Sequence, residues 1–492
     1  MSVKKLKIIP YPKKVERHGT GSLVCTGISS VGGAYITCFA AFASLMEKIH
    51  DVNLAFGGDG IRLHTDNTLK KGAYKIKINK DFADIFASDE EGISYALATV
   101  MQIAEPEGYF AIKLPYCEIE DMPDRDYRTL MVDLGRQWHP FESLLCYVDL
   151  CYLYKIKYLH LHFIDSVIYT LPSRKFPKMP TEGKHYSFAE IDALNEYAKE
   201  KGVEIIPEIE IPGHAKPMVI AYPELFADIP DSYEAQDDYA LFFANVKNNL
   251  VCAGKPDIMN TVDKLVSEVI SMFPYSRYLH IGGDEAAIGE WANCRDCKKY
   301  MKENNINGVK GLYSDFIKRA TDLVLSKGKT PIVWEGFPKE GAEKISKEVI
   351  VTAWESYYHL APELLEEGFK ITNSSWEPLY TIPKNKNKFV PKGRWTTAEV
   401  LKWNIFTWKN WNKKTAAYEH PITVEPTENV IGATFCVWEN NYNDEIEAVR
   451  ENLAAMSEKV WNINSEMTPR QLTLNLKAIL PIAKKLTEQI NE

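Results

Sequence analysis

The chain's most chemically loaded stretch is Tyr278-Leu-His-Ile-Gly-Gly-Asp-Glu285, in which two carboxylates follow two glycines. Adjacent acids repel, so a cleft that keeps both favours one ionised and one protonated. An acid/base residue with a charged helper needs that split. Gly282 and Gly283 permit an unusual turn and let a ligand approach closely. Asp284 and Glu285 are therefore candidate catalytic residues. The competing reading is a helix N-terminus whose dipole welcomes acids.

Groups of this kind need a scaffold, and the pattern from about Tyr127 onward describes one. Short β-branched runs recur at Thr129–Leu134, Tyr158–Phe163, Val203–Glu210, Tyr278–Ile281, Pro331–Trp334, Val349–Trp354, Lys370–Asn373 and Val430–Trp438. Helical patterns alternate with them, as at Phe141–Tyr154, Phe188–Glu200, Ile258–Phe273 and Gly311–Ser326. Strands alternating with helices imply parallel βαβ units. Eight such units close a (β/α)8 barrel. No glycine-rich fingerprint follows the first strand, which argues against a nucleotide-binding doubly wound sheet.

Catalytic groups in a barrel lie at the C-terminal ends of its strands. Those ends carry Asp133 and Arg136; His160, His162 and Asp165; Glu208, Glu210 and His214; then Asp284 and Glu285. The remaining four carry Trp334 with Glu335, Trp354 with Glu355, Trp376 with Tyr380, and Trp438 with Glu439. Carboxylates move protons and flat indoles stack on sugar faces, so the ring as a whole suits cleavage of glycosidic bonds.

Length and composition agree. The 492 residues suggest about three domains at ~150 residues each, or one barrel of about 250 residues or more with a companion. The organisation expected is a small α+β domain over 1–122, the barrel over 123–462 and a helical tail over 463–492 packed on the barrel. A net charge of -9 excludes the basic footprint of a nucleic-acid partner. No run approaches the ~18 apolar residues of a spanning helix, so no membrane partner is expected. Nine scattered cysteines fit reduced thiols rather than a disulfide framework. The basic stretch from Met1 to Lys14 lacks an apolar signal core, so a cytoplasmic location is expected.

Taken together, the motifs resemble family 20 of the glycoside hydrolases, the β-N-acetylhexosaminidases. The resemblance rests on the Asp284–Glu285 segment, Asp133-Leu-Gly-Arg136, His160-Leu-His-Phe-Ile-Asp165 and Ile206-Pro-Glu-Ile-Glu-Ile-Pro-Gly-His-Ala215. It extends from Ile8-Ile-Pro-Tyr-Pro12, through Gly92–Gln102, to Trp461, all in the family's order. The resemblance implies an exo-acting, retaining hydrolase of terminal β-linked N-acetylglucosamine or N-acetylgalactosamine, with no cofactor and no metal. In that scheme the 2-acetamido oxygen of the substrate attacks the anomeric carbon, giving an oxazolinium intermediate. Glu285 would act as acid and then base, Asp284 would orient the acetamido group, and Tyr380 would hold its oxygen. Trp334, Trp354 and Trp438 would wall the pocket. Arg136 would fork onto the hydroxyls at positions 3 and 4, and Asp165 and His214 would support Glu285.

The chain departs from the family where Tyr-x-Asp is usual, having Tyr380-Thr381-Ile382, and where Trp-x-Glu is usual, having Trp438-Glu439-Asn440. Those acids grip the hydroxyls at positions 4 and 6, and Glu439 is the displaced candidate. Their loss points to an altered terminal-sugar preference, such as a 6-substituted sugar, or to a weakly active carbohydrate-binding barrel. The His160-x-His162 pair also admits a metal-dependent hydrolase, since alternate strand residues face one way. The Cys294-x-x-Cys297 pair has no second Cys or His pair beside it in sequence and reads as two thiols on a helix. Oligomeric state is not encoded in these features.

Overall fold

The computed structural model describes residues 5–31, 35–227, 249–383 and 392–488. Met1–Lys4 of the basic start and Gln489, where the last helical pattern ends, lie outside the described residues.

The first domain is a twisted mixed sheet carrying two helices. Its strands run in the order Lys14–Cys25, Ile112–Asp121, Tyr74–Ile78, Ala83–Ala87, Gly60–Thr65, Gly27–Val31 and Ala55–Phe56, with Glu105–Pro106 paired beside Ile112–Asp121. The helix Glu90–Ile103 starts at Asp89, whose carboxylate accepts the Gly92 N–H. Every residue from Gly92 to Ile103 is buried. A helix buried all round must be covered on both faces, and here its neighbours are the sheet, the helix Ile36–His50 and the barrel helix Phe141–Leu153. Gln102 fastens that junction, donating to the carbonyls of Ile9 and Leu153, both at 2.7 Å.

The second domain is the expected barrel. Its strands are β1 (Tyr127–Asp133), β2 (Tyr158–His162), β3 (Glu204–Glu208), β4 (Tyr278–His280), β5 (Thr330–Trp334), β6 (Ile350–Ala353), β7 (Lys370–Asn373) and β8 (Val430–Val437). All neighbours are parallel, and β7 and β1 both pair with β8, closing the ring. The register sets the ends level: Asp133 pairs with His162, His162 with Glu208, and Glu208 with His280. Four polar side chains from four strands therefore share one layer at the C-terminal mouth. Below them Tyr127, Tyr158, Ile206, Ile332 and Ile350 fill the bottom of the barrel.

The helices begin and end where their caps dictate. Ser187 makes a capping box with Glu190 at the start of Phe188–Glu200, and Gly202, at φ +67°, lies just past its end. The last helix, Pro469–Leu486, is capped by Thr468 and Gln471. It packs on the barrel helices Phe141–Leu153 and Tyr442–Trp461 and also on Ile36–His50 of the first domain. Lys48 makes that second contact explicit, reaching the Leu486 carbonyl at 2.8 Å and Asp149 at 2.7 Å. Among the described residues no helix is long and apolar enough to cross a membrane.

Candidate active site

The mouth of the barrel is built from loops that leave no room for error. After β1, Asp133 accepts the backbone N–H groups of Gly135 and Arg136 at 3.0 and 2.9 Å, which turns the chain back over the barrel. Its other oxygen accepts the Glu439 N–H at 3.1 Å, tying the loop after β8 to the same anchor. Gly135 is required because a Cβ there would lie 2.5 Å from the Asp165 backbone. Arg136 thus points across the mouth. Its nearer acid is Asp165, at 2.8 Å, whereas Asp133 lies at 3.6 Å. Its guanidinium also sits 4.8 Å from the Trp438 ring centre, a cation–π contact.

Asp165 is the hub of a relay. Its oxygens lie 3.0 Å from His162 Nε2 and 3.2 Å from His214 Nδ1. Burial alone would raise its pKa, but the charges of Arg136 and His214 outweigh that and hold it well below the carboxylate range. His214 stands in the loop after β3 with φ +48°. Its Nε2 lies 3.4 Å from Glu285 and 3.9 Å from Asp284. Burial opposes its charge, yet Asp165 on one side and Glu285 on the other raise its pKa well above the usual imidazole value. Gly213 lets this loop touch the acid pair, since a Cβ would come 2.7 Å from the Asp284 carbonyl.

The Gly282-Gly283 turn after β4 is equally constrained. Gly282 and Gly283 adopt φ +70° and +95°, and Glu285 follows at +43°. A Cβ on Gly282 would collide with the Glu210 carboxylate at 1.7 Å. This settles the sequence-level ambiguity, because no helix starts at the acids: the next helical turn is Ile288–Ala292.

The acid pair is split, but in the opposite sense to the roles expected for it. Burial pushes Asp284 up to about 7, and His214 only partly opposes that. Glu285 keeps 48% of its side chain exposed at the mouth. What burial it has raises its pKa, but contact with His214 and the charges of His214 and Arg136 bring it below the ordinary value. Below about pH 7 the proton of the unliganded pair therefore favours Asp284 and the charge Glu285. The cause is spatial: Asp284 is buried and feels the charges of Glu285 and Glu208, while Glu285 faces His214 and Arg136. Glu355 nearby is raised to about 9 by burial and by Glu285, Glu335 and Asp284.

An aromatic floor lies beside the acids. Trp354 and Tyr380 are parallel with centroids 6.1 Å apart, and Trp376 lies 4.5 Å from Tyr380. Trp438 joins them, 6.2 Å from Tyr380 and 5.8 Å from Trp334. Tyr380 arrives by an unexpected route. It does not follow directly on β7; the short strand Tyr380–Thr381 pairs with Cys436 and Val437 at the top of β8. Trp334 lies deepest, only 1% exposed, and its indole donates to Glu208 at 2.5 Å. Trp376, partly exposed on this floor, escaped the list of expected pocket walls because nothing in its spacing separated it from a core tryptophan.

Glu208 itself forms a second, closed polar cluster. It accepts a hydrogen bond from His162 at 2.6 Å, and His160 and His280 lie at 2.8 and 2.9 Å. Burial is outweighed by these histidines, so it stays ionised. The two histidines that could have marked a metal hydrolase thus converge on one carboxylate inside the barrel.

The mouth keeps unspent hydrogen-bonding capacity beside the half-exposed Glu285. Asp284 Oδ1, Glu355 Oε2 and Trp438 Nε1 are buried with no hydrogen-bond partner. Buried polar atoms are rarely left so, and a polyhydroxylated ligand would supply the missing partners. The two positions lacking the usual acids are filled differently. Ile382 is buried, and Asn440 turns its amide onto the Trp438 carbonyl at 3.0 Å. Glu439 adopts φ +59°, and its charge is felt at Arg136.

Comparison with known proteins places these features in a family. Residues 126–464 match the model for the glycosyl hydrolase family 20 catalytic domain, and residues 5–122 match that family's domain 2. A Vibrio furnissii protein named beta-hexosaminidase is 27% identical over 395 residues, covering 74% of this chain. Proteins of the same name from Porphyromonas gingivalis and Akkermansia muciniphila are 28% and 30% identical over 60% and 54% of this chain. The matches span 62%, 40% and 56% of those three relatives' own lengths.

Among solved structures, a Vibrio harveyi GH20 exo-β-N-acetylglucosaminidase in complex with N-acetylglucosamine superposes with TM-score 0.82 at 22% identity, covering 97% of this chain and 77% of that one. A Bacteroides fragilis β-N-acetylhexosaminidase gives TM-score 0.78 at 20% identity, covering 97% and 96%. At these identities the superpositions establish the fold.

Proposed function

The chain belongs to glycosyl hydrolase family 20, and from that premise we propose that it is an exo-acting, retaining β-N-acetylhexosaminidase working by substrate-assisted catalysis. The observation that carries this reading is the relay Asp165–His214–Glu285 beside Asp284, set over an aromatic floor at the barrel mouth.

The proton distribution of the unliganded pair supplies the mechanism's first step. A terminal sugar seated on Trp438, Trp376 and Tyr380 brings its acetamido N–H to Asp284, which favours the Asp284 anion. The same sugar covers Glu285 and strips its water, which favours the protonated acid there. The proton of the pair is thereby transferred to Glu285, the residue that protonates the leaving oxygen. The acetamido oxygen, held by Tyr380, attacks the anomeric carbon as the glycosidic bond breaks, and Asp284 stabilises the positive charge that develops. Water then opens the oxazolinium ring while Glu285 takes back a proton. His214 and Asp165 keep Glu285 oriented, and Arg136 holds the ring hydroxyls.

Ile382 and Asn440 support a finer reading. With no acid at either position, the hydroxyls at positions 4 and 6 are gripped more loosely, so both N-acetylglucosamine and N-acetylgalactosamine termini, or a 6-substituted sugar, fit the site.

The test is turnover of an aryl N-acetyl-β-glucosaminide by the parent and by Glu285→Gln. The expected result is release of the aryl group by the parent and a loss of roughly 10²–10⁴ in the variant with less-activated leaving groups. An inactive parent would contradict the enzyme reading in favour of a carbohydrate-binding barrel.

A further inference from the structure

We propose that Cys252, Cys294 and Cys297 form a zinc-binding site, distinct from the acid pair, that staples the loop after β3 to the loop after β4. The sequence shows only the Cys294-x-x-Cys297 pair; the fold brings a third thiol to it from 42 residues upstream. The Cys252 sulfur lies 3.5 Å from that of Cys294 and 3.6 Å from that of Cys297, and all three lie within 4.8 Å of one another.

Sulfurs bound tetrahedrally at ~2.3 Å from one zinc are separated by about 3.8 Å. The observed spacing needs only small adjustments to reach that edge. It is far from the ~2.05 Å of a disulfide, and three thiols cannot all be consumed by one disulfide.

Local structure supports the same ligand. Cys294 caps the helix Arg295–Glu303, and its sulfur accepts the Cys297 backbone N–H at 3.5 Å. A donor aimed at that sulfur stabilises a thiolate, the form that binds metal. Cys252 and Cys297 are buried and Cys294 is partly exposed, so the fourth position is left to a water from the solvent side. Binding releases one proton from each thiol and leaves a complex of charge -1, three thiolates and a water on Zn²⁺.

The surrounding packing shows what the metal would fix. Gly254 is pressed so closely on the Cys297 turn that a Cβ would lie 2.5 Å from the Cys297 Cα. Trp291 donates to the Val251 carbonyl at 3.0 Å. The two loops joined here are those that carry His214 and the Asp284–Glu285 pair.

The experiment is metal analysis and zinc K-edge absorption on the whole chain purified under reducing conditions, after chelation and readdition of Zn²⁺ alone. The expected result is about one zinc per chain with three sulfur ligands at ~2.3 Å, and a melting temperature that falls on chelation and recovers with one equivalent of zinc. The Cys252→Ser/Cys294→Ser variant should lose the bound equivalent. Spectroscopy on the unaltered chain reads the ligand shell even where that variant fails to fold. Three results would overturn the site: no zinc retained by the reduced chain, a shell of nitrogen and oxygen only, or seven rather than nine titratable thiols in the denatured, unreduced protein, which would mean a disulfide.

Discussion

Two carboxylates at the ends of neighbouring strands, Glu208 on β3 and Glu285 after β4, are surrounded by the same residue types and have opposite characters. Glu208 is fully buried, hydrogen-bonded by His162 and Trp334 and flanked by His160 and His280. Its lone pairs are spent. Glu285 is half exposed and meets one histidine at 3.4 Å, beside buried polar atoms that have no partner. The pairing of acids with histidines therefore does not mark chemistry by itself. Unspent hydrogen-bonding capacity next to solvent does; the unpartnered atoms of His160, His280 and Glu210 lie buried inside the barrel, away from solvent.

The sharpest way to break that comparison is to cross the two sites. Glu208→Ala should cost about 3–5 kcal/mol in urea unfolding, because it removes the buried acceptor shared by His162, Trp334, His160 and His280 and leaves the His162 imidazolium with Asp165 alone. Glu285→Gln should change stability by no more than ~0.5 kcal/mol while abolishing most turnover. A Glu208 variant that unfolded normally but lost activity would erase the distinction.

Asp284→Asn comes next in size, with an expected fall in kcat of roughly 10²–10³. The parent's kcat/KM should decline above about pH 7, where the acid pair loses its shared proton. In the variant only Glu285, held below the ordinary value, remains to titrate, so the alkaline limb should move to lower pH. An unmoved limb would place the proton elsewhere.

Arg136→Lys keeps the charge but loses the fork that spans Asp165 and the sugar, so KM should rise about 10–100-fold with a smaller change in kcat. A separate effect is on stability against pH. Asp284 has a native pKa raised above its unfolded value, so the native state holds a proton that the unfolded state has released. Stability attributable to this group is present below about pH 4 and is lost as pH rises towards 7. Asp284→Asn should flatten that part of the curve in thermal melts.

Much of this was readable in one dimension because it depends on local pattern. Eight β-branched runs with intervening helices announce the barrel, and the residues at their ends announce a ring of acids and tryptophans. What could not be read depends on partners distant in sequence. Tyr380 was assigned to the end of β7, yet its own short strand pairs with β8. Trp334, expected to wall the pocket, also donates its indole N–H to Glu208, a partner 126 positions away in sequence. Cys252 meets the Cys294 pair only through the packing of two loops. The resting position of the proton was hidden for the same reason, since it is set by which charges face each acid across the mouth.

The central claim is that the acid couple serves a sugar whose own acyl oxygen attacks. The direct measurement is kcat/KM across aryl 2-acylamino-β-glucosides in which the acyl group is progressively fluorinated, together with the 2-hydroxy parent sugar. The account predicts a steep fall as the acyl oxygen loses basicity and no significant cleavage of the 2-hydroxy compound. Equal rates across the series would contradict it.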